Sequence, residues 1–190
     1  MTQQTSASKP LRILAISGSL RAVSANTALL RAVARLAPPQ VAITLYPGLA
    51  DLPHFNPDLD GDNPPLAVLA LREEIGRADG LLISSPEYAH GVPGSLKNAL
   101  DWLVSSLEFP GKPVALLNAS TRAAYAQAAL AEILKTMSAR LIEEASIPVA
   151  LSRVGTDEAT VLADPQIVNT LQIALDAFVR AIEAHVDPDA

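Results

Sequence analysis

Residues 11–27 read LRILAISGSLRAVSANT, an apolar segment followed by a polar turn and the start of a helical pattern. Leu11–Ile16 is mostly branched and apolar, which is typical of a strand covered on both faces. Gly18 lets the chain turn and approach a ligand closely, and Arg21 supplies a guanidinium suited to a dianion. Short hydrogen-bonding side chains lie beside the unpaired N–H groups of the helix start: Ser19, Ser24, Asn26 and Thr27. The stretch therefore predicts a strand, an anion-binding turn and a helix.

Helix capping is the alternative role of the same side chains. Ser24 or Asn26 alone is more often a helix cap than a ligand. In combination with Arg21 they favour anion binding. The turn lacks the three spaced glycines of a dinucleotide fingerprint and the Gly-Lys-Ser/Thr ending of a P-loop. We therefore expect a mononucleotide phosphate at this turn.

Strand-like and helical patterns alternate along the chain. Apolar strand-like runs occupy Leu11–Ile16, Val41–Tyr46, Gly80–Ser85, Val114–Asn118 and Ile147–Leu151. Helical patterns occupy Thr27–Leu36, Pro65–Ala78, Ser95–Ser106, Ala123–Ala139 and Pro165–Val186. This alternation predicts a doubly wound α/β fold, with a five-stranded parallel sheet of order 2-1-3-4-5 between two helical layers. Ligands of such sheets lie at the carboxyl ends of the strands, at the switch point between the first and third strands.

The composition is typical of one compact domain. The chain has 190 residues, of which 49% are hydrophobic and 18% charged, and no repeat or long linker divides it. We expect residues 1–10 to form a flexible tail and residues 11–187 to form a single domain. The first residues lack the apolar stretch of a secretion signal, and no run is long enough to span a bilayer. These features predict a cytoplasmic protein without a membrane partner.

Charge and cysteine content exclude several classes of function. The formal net charge is −6 and the pI is near 5.0, which argues against a nucleic-acid partner because such proteins present a basic face. The chain has no cysteine, so it has no disulfide, thiolate metal site or cysteine nucleophile. Any redox chemistry must therefore be carried by a cofactor.

The acidic, proline-rich stretch Asp51–Pro65 is interpreted as a long surface loop that either caps the ligand site or merely connects two elements. It lacks the spacing of an EF-hand, and neither His54 nor His185 has a partner at metal-ligand spacing. No metal site is expected. The serines near the strand ends lack the flanking glycines of a nucleophile elbow, and no catalytic acid, base or nucleophile is assigned.

A second chemistry-bearing segment follows the third strand and reads SSPEYAHGVPGSLKNALDWL, residues 84–103. Two prolines and two glycines within Pro86–Gly94 fix an irregular backbone, and Tyr88 supplies a flat amphipathic surface. Exposed backbone amides in such a loop can meet the edge of a planar heterocycle. Lys97 and Asp101 lie at helical spacing, which favours an exposed ion pair over a ligand role.

Together, the two segments resemble the hallmark motifs of the NADPH-dependent FMN reductases, a family of flavodoxin-like fold that includes quinone, chromate and azoreductase-like members. The phosphate-loop motif Gly-Ser-x-Arg-x-x-Ser-x-Asn matches residues 18–26. The flavin-loop motif Pro-Glu-Tyr-Asn, followed by Pro-Gly-x-Leu-Lys-Asn-Ala-x-Asp-Trp, matches residues 86–102 almost throughout. The resemblance implies a tightly held FMN with its phosphate among Ser19, Arg21, Ser24 and Asn26. It also implies a ring and ribityl chain that lie along Pro86, Glu87 and Tyr88.

The resemblance further implies a reaction and an assembly. NADPH or NADH would reduce the bound FMN, and a small acceptor such as a quinone or free flavin would collect the electrons in the same pocket. Family members form homodimers or homotetramers, for which the apolar face around Leu100, Leu103 and Val104 is a candidate contact. Trp102 is interpreted as a core or interface residue. His90 lies near enough to the ring loop to assist an acceptor, or is an ordinary surface residue.

Two departures from the family pattern concern the flavin pocket. Ala89 replaces the usual asparagine, which removes a side-chain amide beside the flavin. After the fourth strand, residues 118–130 read NASTRAAYAQAAL, with alanines where relatives carry a glycine-rich loop. Ser120 can still donate a hydrogen bond to the cofactor, whereas the alanine Cβ atoms restrict the approach of the backbone. Arg122 either neutralises a reduced, anionic flavin or extends into solvent.

Three classes of function follow from these features. The leading hypothesis is an FMN-dependent NAD(P)H oxidoreductase that acts on small oxidants. A flavodoxin-type electron carrier would bind FMN but react slowly with nicotinamide, and the missing strongly acidic rim argues against it. A flavin-free scaffold of the same fold is the third class, motivated by Ala89 and the alanine-substituted fourth loop.

Overall fold

The computed structural model of the chain describes residues 9–151 and 156–186. Its strands form a parallel sheet in the order β2-β1-β3-β4-β5, and a further short strand, β6, also pairs with β4. The strands are β1 (Leu11–Ser17), β2 (Val41–Leu45), β3 (Gly80–Ser84), β4 (Pro113–Asn118), β5 (Arg140–Leu141) and β6 (Ile147–Pro148). The predicted flavodoxin-like strand order is confirmed. The carboxyl ends of β1 and β3 therefore mark the switch point of the sheet.

Helices cover both faces of this sheet. They are α1 (Ala25–Leu36), α2 (Leu66–Arg77), α3 (Gly94–Asp101), α4 (Ala124–Thr136), α5 (Glu158–Leu162) and α6 (Pro165–Val186). Helices α1, α5 and α6 pack on one face, where Leu29 and Phe178 are buried. Helices α2, α3 and α4 pack on the other, where Leu71 and Leu96 are buried. Because both faces are covered, every residue of β3 and β4 is buried.

The edge of the sheet differs from the predicted single strand Ile147–Leu151. β5 and β6 are two short strands that pair with different parts of β4, with a 3-10 turn, Glu143–Ala145, between them. The hydroxyl of Ser146 fills the gap, because it accepts a hydrogen bond from Leu116 N at 3.0 Å and donates to Ile142 O at 2.7 Å. A side chain thus satisfies a β4 amide that a longer neighbouring strand would have paired.

Helix α3 is shorter than the predicted Ser95–Ser106. It ends at Asp101, and the chain continues in tight turns. Arg72 of α2 donates from Nε and Nη2 to Trp102 O, at 3.2 and 2.7 Å. Ser106 N instead bonds to Leu103 O, at 3.1 Å. If α3 continued, Trp102 O would accept from Ser106 N. The guanidinium of Arg72 donates to this carbonyl instead.

The apolar face expected around Leu100, Leu103 and Val104 is not a surface, and this prediction was wrong. Leu100 and Leu103 are each 2% exposed and pack in the core, whereas Val104 is 66% exposed. Trp102 is also fully buried, so it is a core residue. The apolar side of α3 packs against the sheet, so little of its apolar surface is available to a partner.

The stretch Asp51–Pro65 runs beside α3 as a connecting segment. Asn98 Nδ2 donates to Pro53 O at 2.9 Å, and Asn98 Oδ1 accepts from Phe55 N at 2.7 Å. Trp102 Nε1 donates to the same Pro53 carbonyl at 2.8 Å, and its ring meets the Phe55 ring edge to face at 5.0 Å. Asn98 and Trp102, both in the second sequence motif, thus anchor a surface segment.

Two ion pairs lie near α3. Asp60 pairs with Arg72 at 2.7 Å and accepts a hydrogen bond from Ser105 Oγ. The Ser105 bond, aided by Arg72, outweighs burial and holds the pKa of Asp60 below its usual range. The predicted pair of Lys97 and Asp101 is present, with both side chains partly exposed. Neither pair belongs to the cavity described below.

Within the described ranges, no helix combines the length and the apolar character needed to cross a membrane. Residues 1–8 and 187–190 lie outside those ranges. The division into a tail, residues 1–10, and one domain, residues 11–187, therefore stays a prediction.

Candidate functional site

A network of hydroxyl groups shapes the turn after β1. Ser17 Oγ lies 2.8 Å from Thr27 Oγ1 and accepts a hydrogen bond from Ser19 N at 3.3 Å. Ser19 Oγ in turn accepts from Arg21 N at 3.4 Å. Ser24 is the N-cap of α1, where its Oγ accepts from Thr27 N at 3.3 Å. The side chains of the turn therefore define its shape.

The end of β3 holds the same turn from the other side. Gly18 N donates to Ser84 O at 2.8 Å, and Ser84 Oγ donates to Asn26 Oδ1 at 2.9 Å. Ser84 and Asn26 are both buried. A Cβ atom on Gly18 would lie 2.6 Å from Ser85 Oγ and 3.0 Å from Leu96 Cδ2, so a side chain at this position would force the neighbouring side chains to shift.

The loop after β3 contains a tight two-residue turn. Tyr88 N donates to Gly91 O at 3.1 Å, and Gly91 N donates to Tyr88 O at 2.9 Å. Between them, Ala89 and His90 have φ angles of 50° and 60°. Positive φ at both central positions defines a type I′ turn, which favours asparagine and glycine and strains other residues. The replacement of asparagine by Ala89 therefore has a backbone consequence as well as a chemical one.

Asn118 organises the loop after β4. Its Oδ1 accepts from Ser120 N at 3.0 Å, and its Nδ2 donates to Ala123 O at 3.3 Å. Ser120 Oγ accepts from Arg122 N at 3.2 Å. Asn118 is 5% exposed, so its end of the network is buried, whereas the bond between Ser120 and Arg122 is exposed. Side-chain to backbone bonds thus give the alanine-substituted loop a defined conformation.

Two contacts join the loop after β3 to the start of α4. Glu87 Oε2 accepts from Ala126 N at 2.9 Å. The rings of His90 and Tyr125 stack with their centroids 4.3 Å apart and an interplanar angle of 17°. The N-cap residue of α4, Ala123, has no side chain that caps the helix. The Glu87 carboxylate therefore satisfies a first-turn amide that would otherwise lack a partner within the helix.

The loops after β1, β3 and β4, together with Thr156, border a cavity of about 320 Å³. This volume falls in the range of small-molecule sites, about 300–1,000 Å³. Among the residues that the structure describes, Arg21 and Arg122 line the cavity from separate loops, and Glu87 is the one acidic residue of the lining. The Glu87 carboxylate accepts a hydrogen bond from Ala126 N and keeps its negative charge, so the described lining carries two cations and one carboxylate.

The cavity brings together most of the predicted site residues, namely Ser19, Arg21, Ser24, Asn26, Pro86, Glu87, Tyr88 and Ser120. Thr27 is not among the lining residues, because its hydroxyl is bonded to Ser17 within the turn. Contact of these residues with a cofactor stays a prediction. Ser85, Asn118 and Thr156 also line the cavity and were not predicted as site residues. A short polar residue directly after an apolar strand is the signal that points to Ser85 and Asn118, whereas no such signal points to Thr156.

The sheet order and a mononucleotide-sized cavity at its switch point define a flavodoxin-like α/β protein. A solved structure of FerB, a flavoenzyme NAD(P)H:(acceptor) oxidoreductase from Paracoccus denitrificans, is similar with a TM-score of 0.82 and 31% identity. The similarity covers 92% of this chain and 98% of that one. Residues 11–152 match the family model of the NADPH-dependent FMN reductases. The chain belongs to this family, which confirms the predicted family and its cofactors, FMN and a nicotinamide nucleotide.

Two relatives illustrate the range of the family. The quinone reductase of Escherichia coli strain K12 is 39% identical over 116 residues, which are 60% of this chain and 62% of that protein. The match thus spans less than two thirds of that relative. The NADH:(hydroxy)cinnamate reductase subunit CrdA of Vibrio ruber is 34% identical over 179 residues, covering 91% of this chain and 88% of that protein.

The lining groups of the cavity fit the phosphate of FMN chemically. A phosphate ester offers acceptor oxygens, and the turn after β1 offers donors in Arg21, Ser19 and Ser24. Ser24 Oγ already accepts from Thr27 N, which leaves its proton available for donation. Asn26 Oδ1 is likewise engaged, so its amide group contributes donors. A donor-rich turn of this kind suits an anion better than a neutral ligand.

Proposed function

We propose that this chain is an FMN-dependent NAD(P)H oxidoreductase that passes electrons to a small acceptor such as a quinone or free flavin. The observation that carries the proposal is the cavity in which the donor-rich turn after β1 opens beside Tyr88, at the switch point of the sheet. FMN would supply hydride acceptance from nicotinamide and electron donation to the acceptor, which the side chains of a cysteine-free chain do not provide.

The turn after β1 holds the phosphate end in this proposal. Ser19, Arg21, Ser24 and Asn26 donate hydrogen bonds, and the start of α1 adds free N–H groups and the positive end of its dipole. Thr27 acts indirectly, because its hydroxyl supports the turn through Ser17. The phosphate therefore orients the rest of the ligand toward the loop after β3.

Pro86, Glu87 and Tyr88 line the ring half of the cavity, together with Ser120 of the loop after β4. Tyr88 is 52% exposed, so its ring offers a flat surface at the rim where a donor and an acceptor would enter in turn. Arg122 adds positive charge to this half, which attracts an anionic nicotinamide nucleotide to a protein of net charge −6. In this proposal the lining residues orient the flavin and attract the nicotinamide nucleotide. None of them is assigned as a general acid or base.

Electron delivery to a partner protein is a second candidate function. One observation favours it: the match to the Vibrio ruber reductase subunit extends over 91% of this chain. In that case the acceptor would be a group held by a second polypeptide instead of a free small molecule. We also propose that the chain forms a homodimer or homotetramer in the cytoplasm, supported by the exposed apolar side chains of Val104 and Leu107.

Spectroscopy of the purified protein tests the main proposal. We expect the visible absorption bands of oxidised flavin, and the mass of FMN in the supernatant after denaturation. NADPH under nitrogen should bleach these bands rapidly, and a neutral quinone should restore them. Bound FMN that NADPH reduces only slowly would support an electron carrier. Protein that, with excess FMN, neither binds it nor oxidises NADPH faster than buffer does would overturn the proposal.

A further inference from the structure

The start of α4 is capped from outside the helix. Its N-cap residue, Ala123, has no polar side chain, and the third residue of the helix, Ala126, donates its N–H to Glu87 Oε2 at 2.9 Å. Glu87 lies 39 positions earlier in the chain. A carboxylate at the N-terminus of a helix is stabilised both by the hydrogen bond and by the helix dipole. The bond thus links two loops that border the same cavity.

A second contact lies beside the first. The His90 ring stacks on the Tyr125 ring, with centroids 4.3 Å apart. Tyr125 precedes Ala126 in α4, and Glu87 and His90 belong to the same short loop. The loop after β3 therefore meets the first turn of α4 at two adjacent points, one polar and one aromatic.

The loop between these contacts is strained. Ala89 and His90 both have positive φ. Alanine adopts this conformation reluctantly, whereas glycine, asparagine, aspartate and histidine adopt it more readily. Such backbone persists where surrounding contacts over-determine it. The Glu87 bond and the His90 stack are contacts of this kind, because they fix both sides of Ala89.

The loop after β4 is attached to the same helix start. Asn118 Nδ2 donates to Ala123 O, the residue directly before α4. Glu87 and Ala123 both line the cavity, from the loops after β3 and β4. The first turn of α4 therefore sets the spacing between the loop after β3 and the loop after β4, which both border the cavity.

We propose that Glu87 is a positioning residue, whose bond to Ala126 N fixes the spacing between the two loops that border the ring half of the cavity. The inference rests on the proposed function, because it assigns to Glu87 the support of an FMN site. In this proposal the Glu87 carboxylate binds the first turn of α4, and the ligand contacts the two loops whose spacing this bond fixes. Loss of the bond should then loosen the cavity and weaken ligand binding without removing any phosphate contact.

Three substitutions of Glu87 distinguish the effect of its side-chain length from the effect of its negative charge. Glu87→Ala removes the acceptor, and we expect the Kd for FMN to rise about tenfold, equivalent to about 1.4 kcal/mol. Glu87→Asp keeps the charge but shortens the side chain, and we expect a similar rise. Glu87→Gln keeps an oxygen acceptor at the same reach, and its Kd should stay within about twofold of wild type, because the amide oxygen still accepts from Ala126 N.

Hydrogen exchange of the Ala126 amide in the flavin-free protein supplies a readout that does not depend on activity. Exchange should accelerate about tenfold in Glu87→Ala and Glu87→Asp, and remain close to wild type in Glu87→Gln, because an unbonded first-turn amide loses its protection. Unchanged exchange in Glu87→Ala would overturn the inference.

A second-site variant distinguishes positioning from simple capping. The substitution Ala123→Ser supplies a hydroxyl that can bond the Ala126 amide locally, as an N-cap does. In the double variant Glu87→Ala with Ala123→Ser, protection of Ala126 should return while the Kd for FMN stays high. Ala123→Ser alone is the control for any direct effect on the cavity.

The outcomes have distinct meanings. Recovery of FMN binding in the double variant would show that Glu87 acts only as a cap, and would overturn the inference. The same conclusion follows if wild-type protein binds FMN and Glu87→Ala binds it equally well. Failure of the wild-type protein to bind FMN at all would instead overturn the proposed function, and the inference with it.

Discussion

The hydroxyl of Ser84 donates a 2.9 Å hydrogen bond to Asn26 Oδ1, although the two residues lie 58 positions apart in the chain. The carbonyl of Ser84 also accepts from Gly18 N at 2.8 Å. One buried serine at the end of β3 therefore holds both the beginning of the turn after β1 and the first turn of α1. The backbone of the proposed phosphate site is fixed by contacts within the protein, whereas the Arg21 side chain is exposed at the cavity.

Replacement of Arg21 by alanine tests the proposed phosphate contact. We expect FMN binding to weaken by about 1.5–3 kcal/mol, the range for hydrogen bonds to charged groups. Quenching of flavin fluorescence gives the Kd. Arg31→Ala is the matched control, because Arg31 is an exposed arginine of α1 that does not line the cavity. Equal dissociation constants for wild type and Arg21→Ala would refute the assignment.

Replacement of Ala89 tests the strain in the turn. Glycine and asparagine adopt a φ of 50° more readily than alanine does, so each variant should raise the free energy of unfolding by about 0.5–1 kcal/mol. Urea denaturation measures this change. Ala128→Gly, on the exposed side of α4, is the control and should lower the free energy of unfolding by about 1 kcal/mol. A loss of stability in Ala89→Gly would contradict the assigned strain.

Ala89→Asn should also restore a side-chain amide beside the proposed flavin site. We expect flavin to be retained equally well or more tightly, with an altered preference among acceptors, since the amide adds a polar group at the ring loop. Retention is measured by the flavin released during dialysis, and preference by kcat/KM for two neutral quinones. Looser retention would contradict the proposed arrangement of the loop beside the flavin.

Acid should weaken the clamp formed by Asp60, Ser105 and Arg72. The Ser105 hydrogen bond and the Arg72 cation depress the pKa of Asp60 in the folded state. Its stabilisation is therefore complete above the unfolded pKa, about 3.9, and is lost as the pH falls through the lower folded value. The difference in unfolding free energy between wild type and Asp60→Asn should be full at pH 7 and shrink below about pH 4.

Urea denaturation at several pH values measures this difference. Asp58→Asn, an exposed position in the same segment, is the matched control and should preserve the wild-type profile. A difference between wild type and Asp60→Asn that does not change with pH would contradict the role given to the clamp.

Association of the chain should depend on exposed apolar side chains after α3. Leu107 is 92% exposed, and burial of such a side chain in a partner is favourable by about 1.5–3 kcal/mol. We expect wild type to elute from a sizing column as a dimer or tetramer, and Leu107→Glu to shift toward monomer. Ile173→Glu, at an exposed position of α6 on the other face, should leave assembly unchanged. Monomeric wild type, or equal effects of both substitutions, would count against this interface.

Much of the fold is predictable from local patterns in the sequence. The apolar runs of β1 to β4 and the helical periodicity of α1 and α2 depend on residues close together in the chain, so their positions lie near the predicted ones. The exceptions depend on distant contacts. Ser146 bonds Leu116 N in the gap between β5 and β6, so the edge of the sheet is two short strands and not the single predicted strand Ile147–Leu151. Arg72 binds the Trp102 carbonyl beyond the end of α3. Hydrophobic periodicity carries no information about either contact.

The candidate site follows the same rule. The contiguous motifs identify most of the polar groups that line the cavity, because each of the three main loops follows directly from an apolar strand. The polar lining residues that they do not identify are Ser85, Asn118 and Thr156. The motifs also do not show which of their side chains form hydrogen bonds with other residues of the protein. Thr27 bonds Ser17 and does not line the cavity, and Glu87 bonds an amide of α4, which lies beyond the next strand. Such pairings depend on the three-dimensional arrangement of the loops.

Titration of the flavin-free protein with FMN and with riboflavin tests the central claim most directly, because the two ligands differ only in the phosphate. If the turn from Ser19 to Asn26 binds that phosphate, FMN should bind at least about 100-fold more tightly than riboflavin, equivalent to two charge-assisted hydrogen bonds. Equal affinity for the two ligands, or no binding of FMN at saturating concentration, would contradict the claim.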